Sequence, residues 1–498
     1  MTLSVVYTRA MVGIDAPSVR VETHLSAGLP GFNIVGMPET TVRESKDRVR
    51  SAILNSHFEF PDSKITINLA PADLPKEGGR FDLAIAIGVL VASGQVTNRQ
   101  LSQVEFVGEL GLDGTLHPVT GVLASAAACG KAGRKLMVSS ACSSHAAQVL
   151  DCFVGGATTL GDACAQLSST QLSRACATPP QCVDDTSKNL SDVRGQHEAK
   201  RALEIAAAGG HHLFLYGPPG TGKTLLASRL GQLLPPLSNQ ERLDVRLIQD
   251  LLHTTEINDS RPFRAPHHSA SAAALVGGGI KPKPGEITLA HNGILFLDEI
   301  AEFPRATLDM LREPLESGHV RISRAKASVC YPARFQLVAA ANPCPCGYFG
   351  DKEHRCTCSR DQLDKYRAKL SGPLLDRIDL FCRVERLKPD DLLNEKHSGE
   401  SSEVVATRVH DAQTLAITRQ GCLNASAEGE ILAIPAHCDP LAKQVLTQAA
   451  NTMRLSGRAI HRALRVARTI ADLAGQATIE RSHMLEAISY RQLTLNNR

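Results

Sequence analysis

The sequence predicts a multidomain α/β protein, and three observations carry that expectation. The chain has 498 residues, more than one hydrophobic core holds; at about 150 residues per domain it divides into about three. Its first 170 residues or so alternate short apolar strands with helical patterns. Further on, an apolar run at His212–Tyr216, a glycine loop at Gly217–Thr224 and a helical stretch at Leu225–Leu230 follow one another directly. Strand, glycine loop and helix in that order belong to a parallel sheet covered by helices.

Taken in order, Val19–Thr23 alternates as a half-buried strand does. Gly28–Gly36 is a turn entering a strand, Thr41–Asn55 has helical spacing and Lys64–Leu69 is a strand. Phe81–Ala92 is a buried helix or strand, and its alanines favour helix. Val104–Leu110 and Leu116–Val119 flank Asp113-Gly114, a hairpin signal. Residues 1–170 therefore read as an α+β domain. The stretch from Ala177 to Asn189, with two each of Pro, Asp and Thr, closes a linker assigned to 171–189. A second domain spans 190–385, and 386–498 shows helical patterns at Pro440–Ser456, Ala459–Ala474 and Arg481–Leu493 with no clear strand, so it reads as a helical lid.

Composition narrows the function classes. Hydrophobic residues make up 43% and charged residues 21%, the balance of a globular protein. Tryptophan is absent and aromatics are 4%, which argues against base-stacking platforms as the main recognition device. With 54 basic and 51 acidic residues the net charge is +3, so nucleic-acid binding would need a local basic surface. No basic-then-apolar leader is visible, and the longest apolar run, Leu83–Ala92, is too short to span a bilayer. A cytoplasmic protein without membrane association is expected, its 14 cysteines mostly free thiols.

Gly217-Pro218-Pro219-Gly220-Thr221-Gly222-Lys223-Thr224 fits the phosphate-binding P-loop at every specified place. Glycines let backbone N–H groups face a phosphate, and the helix start adds partial positive charge. Lys223 should reach the β- and γ-phosphates of ATP or GTP, and Thr224 should hold Mg²⁺. Ile294–Leu297 is an apolar strand ending in Asp298 and Glu299. Beyond a P-loop, such a pair serves as metal carboxylate (Asp298) and water-polarising base (Glu299); otherwise it is a solvated acidic turn. Phe335–Ala341 is a further buried strand that exits at Asn342, a residue able to contact a γ-phosphate or to cap the turn before Pro343.

Two C-x-C pairs follow, Cys344/Cys346 and Cys356/Cys358. Four thiols so close in sequence can supply one tetrahedral Zn²⁺, with His354 as a substitute ligand, or remain reduced in a loop. Val320–Val329 alternates on both sides of a basic turn and reads as a β-hairpin.

Taken together, the P-loop, Asp298-Glu299 and Asn342 resemble an AAA+ ATPase. The strings Arg261–Ser269, Pro284–Gly293 and Asn342–Gly347 narrow the resemblance to the magnesium-chelatase-like family that includes ComM and YifB, over residues 1 to about 490. That resemblance implies ATP with Mg²⁺ as cofactors, a homo-hexameric ring, and a helicase or branch-migration motor on DNA in natural transformation and recombination. It also implies an arginine finger at Arg377, within Ser371–Asp379; a salt bridge to Asp376 or Asp379 is the other use open to this side chain. Arg458, in Ser456-Gly457-Arg458, is implied as a phosphate contact, with Arg462 second. Arg324 and Lys326 on the hairpin, and Lys281 and Lys283 on a second basic tip, become phosphate-backbone contacts in a ring pore; without the ring they are solvated charges. The N-terminal domain resembles the Lon-protease-like domain, but in Pro75–Asp82 Arg80 takes the place of the nucleophilic serine, so Lys76 has no partner and a non-proteolytic scaffold is expected. A magnesium-chelatase motor subunit is the alternative; an ATP-dependent protease is opposed by the missing serine.

Overall fold

Alternation decides the first sheet. The computed structural model of the chain describes residues 3–36, 39–97, 99–169, 172–177, 188–252, 259–279, 282–324, 327–351, 354–370, 372–387, 399–427 and 437–491. These fall into two units, one of residues 1–182, 242–259 and 323–329, the other of 183–241, 260–322 and 330–498.

In the first unit, strands β1 (Leu3–Arg9), β2 (Ser18–Ser26), β3 (Gly31–Val35), β4 (Lys64–Ala70), β5 (Val104–Phe106), β6 (Lys135–Ser139) and β7 (Val154–Ala157) form a seven-stranded sheet in the order β3-β4-β2-β1-β5-β6-β7. β2 lies antiparallel to β1 and to β4, while β5, β6 and β7 run parallel. Val19, Val21 and Thr23 turn inward from β2 as the period of two requires. Phe81–Ala92 resolves as a short turn followed by the helix Asp82–Ala92, every residue of which is buried. Ser4 donates to the Gly88 carbonyl at 2.7 Å, tying that helix to β1.

The expected hairpin around Asp113-Gly114 is present but shorter, pairing Glu109–Leu110 with Leu116–His117. Val104–Phe106 goes instead into the large sheet between β1 and β6. All three of its residues are buried, which suits a central strand and not a half-exposed hairpin arm. Glu105 is fully buried and accepts from Arg9 Nη2 at 2.7 Å and Arg134 Nη1 at 3.1 Å.

Residues 242–252 lie in sequence inside the expected ATPase segment yet pack within the first unit. The helix Asn239–Asp250 is amphipathic; Leu247 joins a core with Val122 and Val138, and Asp250 accepts from the Leu123 N–H at 3.0 Å.

In the second unit, β8 (Leu213–Tyr216), β9 (Phe263–Arg264), β10 (Ile294–Leu297), β11 (Gln336–Ala341) and β12 (Leu380–Arg383) make a parallel sheet in the order β9-β10-β11-β8-β12. β8, β10 and β11 are buried on both faces, which explains their continuous apolar runs. The C-terminal helices Ser402–Gln420, Pro440–Met453, Gly457–Leu473 and Arg481–Ser489 share one core with this sheet, joining Leu213, Leu215 and Phe296 to Val409, Val466 and Met484. The sequence patterns mark three of these four helices; residues 428–436 and 492–498 lie outside the described residues. Among the described residues no helix is long and apolar enough to cross a membrane.

Candidate functional site

The strand order brings the site together. β8, β11 and β10 are neighbours and parallel, with Tyr216 level with Ala341 and Leu297 level with Ala339. Their carboxyl ends therefore deliver Gly217, Asn342 and Asp298 to one edge, where open α/β sheets bind ligands. Gly217 donates its N–H to the Ala341 carbonyl at 3.2 Å. A Cβ on Gly217 would stand 2.1 Å from the Val384 carbonyl oxygen, so this place admits glycine alone. At Gly220 and Gly222 nothing lies within 4 Å of where a Cβ would be, leaving the outer side of the loop open. Thr221 Oγ1 donates to the Pro218 carbonyl at 3.0 Å and shapes the turn, and Pro219 leads into it.

Lys223 opens the helix Lys223–Leu233 and is buried. Its ammonium donates to the Gly217 and Pro218 carbonyls, both at 2.8 Å, and to Asn342 Oδ1 at 3.1 Å. Burial pulls its pKa below the ordinary lysine value, with Asp298 and Glu299 opposing. Thr224 Oγ1 donates to Asp298 Oδ2 at 2.7 Å, and the Glu299 N–H donates to Asp298 Oδ1 at 2.9 Å. A hydroxyl and a carboxylate so paired beside an open loop can supply the protein's share of the oxygens around Mg²⁺, with phosphate and water supplying the rest, so the residues fit both nucleotide and metal. Glu299 has φ +49°, which turns its side chain out of the strand direction, and its Oε2 lies 3.5 Å from His268 Nδ1.

The structure thus unites the P-loop, Asp298, Glu299 and Asn342, as the motifs predict. It adds His268, carried by the loop after β9, and Tyr366, whose hydroxyl donates to the Asn342 carbonyl at 2.9 Å. The histidine doublet at a strand exit was the visible signal for the former; no local signal marked Tyr366.

Arg377 is buried, donating to the Pro373 carbonyl and pairing with Glu316. Neither Asp376 nor Asp379 is its partner: Asp379 belongs to Arg462 at 2.7 Å and accepts the His212 N–H at 3.1 Å. Arg458 is exposed in the first turn of the helix Gly457–Leu473, which Ser456 caps. Arg462 is thereby held in a structural pair while Arg458 stays available.

The segment from Cys344 to Cys358 gathers its four cysteines, the Sγ atoms all within 4.8 Å of one another. Of the basic tips, Lys281 and Lys326 lie outside the described residues. Arg324 ends the first strand of the hairpin His319–Arg324/Ala327–Pro332, and Lys283 is exposed on a two-residue strand paired with Gly277–Gly278.

Comparison with known proteins gives the family of the chain. The family described as magnesium chelatase, subunit ChlI, matches residues 189–392; related ChlI descriptions match 21–141 and, as its C-terminal part, 399–491. The protein YifB of Salmonella typhimurium is 49% identical over 99% of this chain and 98% of its own length. Competence protein ComM of Haemophilus influenzae is 48% identical over the same shares. The chain belongs to the YifB/ComM family of magnesium-chelatase-like proteins. Likeness to Lon protease is partial: Lon protease 2 of Bacillus subtilis is 30% identical over 40% of the chain and 43% of its own length.

Proposed function

We propose that this protein is a ring-forming AAA+ ATPase, working in the cytoplasm, that couples ATP hydrolysis to translocation on DNA as a helicase or branch-migration motor in natural transformation and homologous recombination. The observation that carries the reading is the convergence of Lys223, Thr224, Asp298, Glu299 and Asn342 at the ends of three adjacent parallel strands. The likeness to a competence protein supports the DNA part.

In this reading residues 1–170 form a non-proteolytic Lon-protease-like scaffold, 171–189 a linker, 190–385 the ATPase core and 386–498 a lid. Mg²⁺, when bound, neutralises charge on the transferring phosphoryl group. Thr224 and Asp298 would hold it. Lys223 exchanges its carbonyl acceptors for phosphate oxygens, Glu299 orients the attacking water, and Asn342 reports on the phosphate end. Arg458 contacts the nucleotide from the lid. Arg377 completes the site of a neighbouring protomer in a hexamer, for which its ion pair with Glu316 must open. Arg324, Lys326, Lys281 and Lys283 grip DNA phosphates. The four cysteines hold Zn²⁺.

ATP turnover by the purified protein, measured with and without branched DNA, tests the motor. Stimulation by branched or single-stranded DNA is expected. Turnover indifferent to any DNA would overturn the DNA reading and favour a magnesium-chelatase-type motor that remodels a metal-insertion partner, the alternative that the family match itself supports.

A further inference from the structure

The loop that carries the cysteine cluster lies against the phosphate loop. Cys344 Sγ lies 3.3 Å from Cys346 Sγ and 3.7 Å from Cys356 Sγ, and Cys346 Sγ lies 3.5 Å from Cys356 Sγ. Cys358 Sγ closes the set, accepting the Cys346 N–H at 3.4 Å. A tetrahedron with Zn–S bonds of about 2.3 Å has edges of about 3.8 Å, so these sulfurs stand nearly where a tetrathiolate needs them. Backbone N–H groups supply the surrounding donors: Phe349 donates to Cys344 Sγ at 3.3 Å.

The loop that carries the cluster meets the nucleotide cradle at two points. Gly347, directly after Cys346, has φ +86°, and a Cβ there would stand 2.6 Å from Pro219 Cδ and 3.1 Å from Pro219 Cγ. Pro219 lies within the phosphate loop, and its ring cannot swing aside as a flexible side chain does. Asn342, two residues before Cys344, accepts from the Lys223 ammonium. The far end of the cluster is anchored as well. Ser359, next after Cys358, caps the helix Arg360–Lys369 with a reciprocal capping box, and Tyr366 of that helix donates back to Asn342. Among its described residues, the span from Cys344 to Cys358 forms neither helix nor strand, so its backbone keeps more freedom than a strand of the sheet until it is cross-linked. A bound metal replaces that freedom with four fixed points, one of them adjacent to the residue that abuts Pro219.

We propose that Zn²⁺ bound by Cys344, Cys346, Cys356 and Cys358 braces the phosphate loop through Gly347 and Asn342, so that metal occupancy sets the nucleotide affinity of the site. This rests on the ATP-binding reading and goes beyond it. Each thiol that ligates gives its proton to solvent as its metal–sulfur bond forms, and no electron transfer is involved.

The test uses the full-length protein, its zinc content per protomer from elemental analysis, and its affinity for a fluorescent ATP analogue. Wild type should carry close to one equivalent of zinc. The double substitution Cys356→Ser/Cys358→Ser should lose the metal and bind the analogue about tenfold more weakly. Gly347→Ala should keep its zinc, which reports an intact loop, and still bind the analogue about tenfold more weakly, because the added methyl group displaces Pro219. Cys330→Ser, outside the cluster, should change neither quantity. Wild-type affinity in the zinc-free protein, or in Gly347→Ala, would overturn the brace while leaving the ATP reading in place; so would wild-type protein that takes up less than half an equivalent of added zinc. Zinc-loaded wild type that fails to bind the analogue would instead overturn the ATP reading on which the brace depends.

Discussion

Each unit of this protein buries a lysine, and the two are dressed differently. Lys76 of the first unit is fully buried and donates to the main-chain carbonyls of Pro71 and Leu74. Lys223 of the second donates to the carbonyls of Gly217 and Pro218 and to Asn342. Burial lowers the pKa of both. What separates them is the surroundings. Beside Lys223 stand an open glycine loop, a helix N-terminus and two carboxylates. In the turn after Lys76 stands Arg80, itself buried, donating to Ser125 Oγ at 3.0 Å, its pKa lowered by desolvation to about 10. The lesson is that a buried, depressed lysine does not mark a reactive site. A site needs acceptors that a ligand can replace and open space in which to replace them. Arg377 and Arg80 repeat the contrast: both are buried, but Glu316, the partner of Arg377, has a side chain 54% exposed and can release it.

The comparison can be broken by substitution. Arg377→Ala should lower ATP turnover by a factor on the order of a thousand while leaving ATP binding intact. Wild-type turnover in that variant would return Arg377 to a purely structural role beside Arg80. Lys223→Ala should lower turnover by roughly a hundredfold or more, the loss typical of one preorganised donor, whereas Lys76→Met should stay within about twofold of wild type in the same steady-state assay. Comparable losses in both would erase the distinction between the lysines.

Acid should sharpen a related contrast within the second unit, where the buried His291 and the half-buried His212 are kept neutral. His291 Nδ1 accepts the Arg334 N–H at 3.0 Å, and His212 Nδ1 accepts the Leu337 N–H at 3.1 Å, so in each ring Nδ1 is the unprotonated nitrogen. Desolvation brings both pKa values down to about 4. The unfolded chain, titrating near the ordinary histidine value, binds more protons below it. Stability is therefore complete above about pH 6.5 and falls as pH drops toward 4, by up to about 3 kcal/mol from His291, with His212 acting in the same window. Urea unfolding at pH 7 and pH 4.5 measures this, and an unchanged His291→Asn difference between the two pH values would refute the assignment. The smallest effect belongs to Tyr366→Phe. It removes one hydrogen bond to Asn342 and should cost about 1 kcal/mol of stability, read from the same unfolding curves.

Much of the site was legible along the chain because its parts are local. Gly217–Thr224 needs only a strand before it and a helix after it, and Asp298-Glu299 needs only to follow an apolar run. Asn342 was more ambiguous, since an asparagine before proline serves equally as a turn cap. Its bond to Lys223 depends on β11 lying beside β8, and strand order is not written in either strand. The partner of Arg377 was missed for the same reason: Asp376 and Asp379 are near in sequence, while Glu316 is near in space.

The sequence by itself determined which stretches become strands, loops and helices around the nucleotide cradle, because side-chain periodicity and glycine placement act over a few residues. Tertiary structure alone decided that Val104–Phe106 enters the large sheet, that residues 242–252 pack with the first unit, and that Gly347 abuts Pro219. Those outcomes depend on the order and parallel register of strands drawn from distant parts of the chain, where burial on both faces and close backbone contact are settled only when all the layers are present.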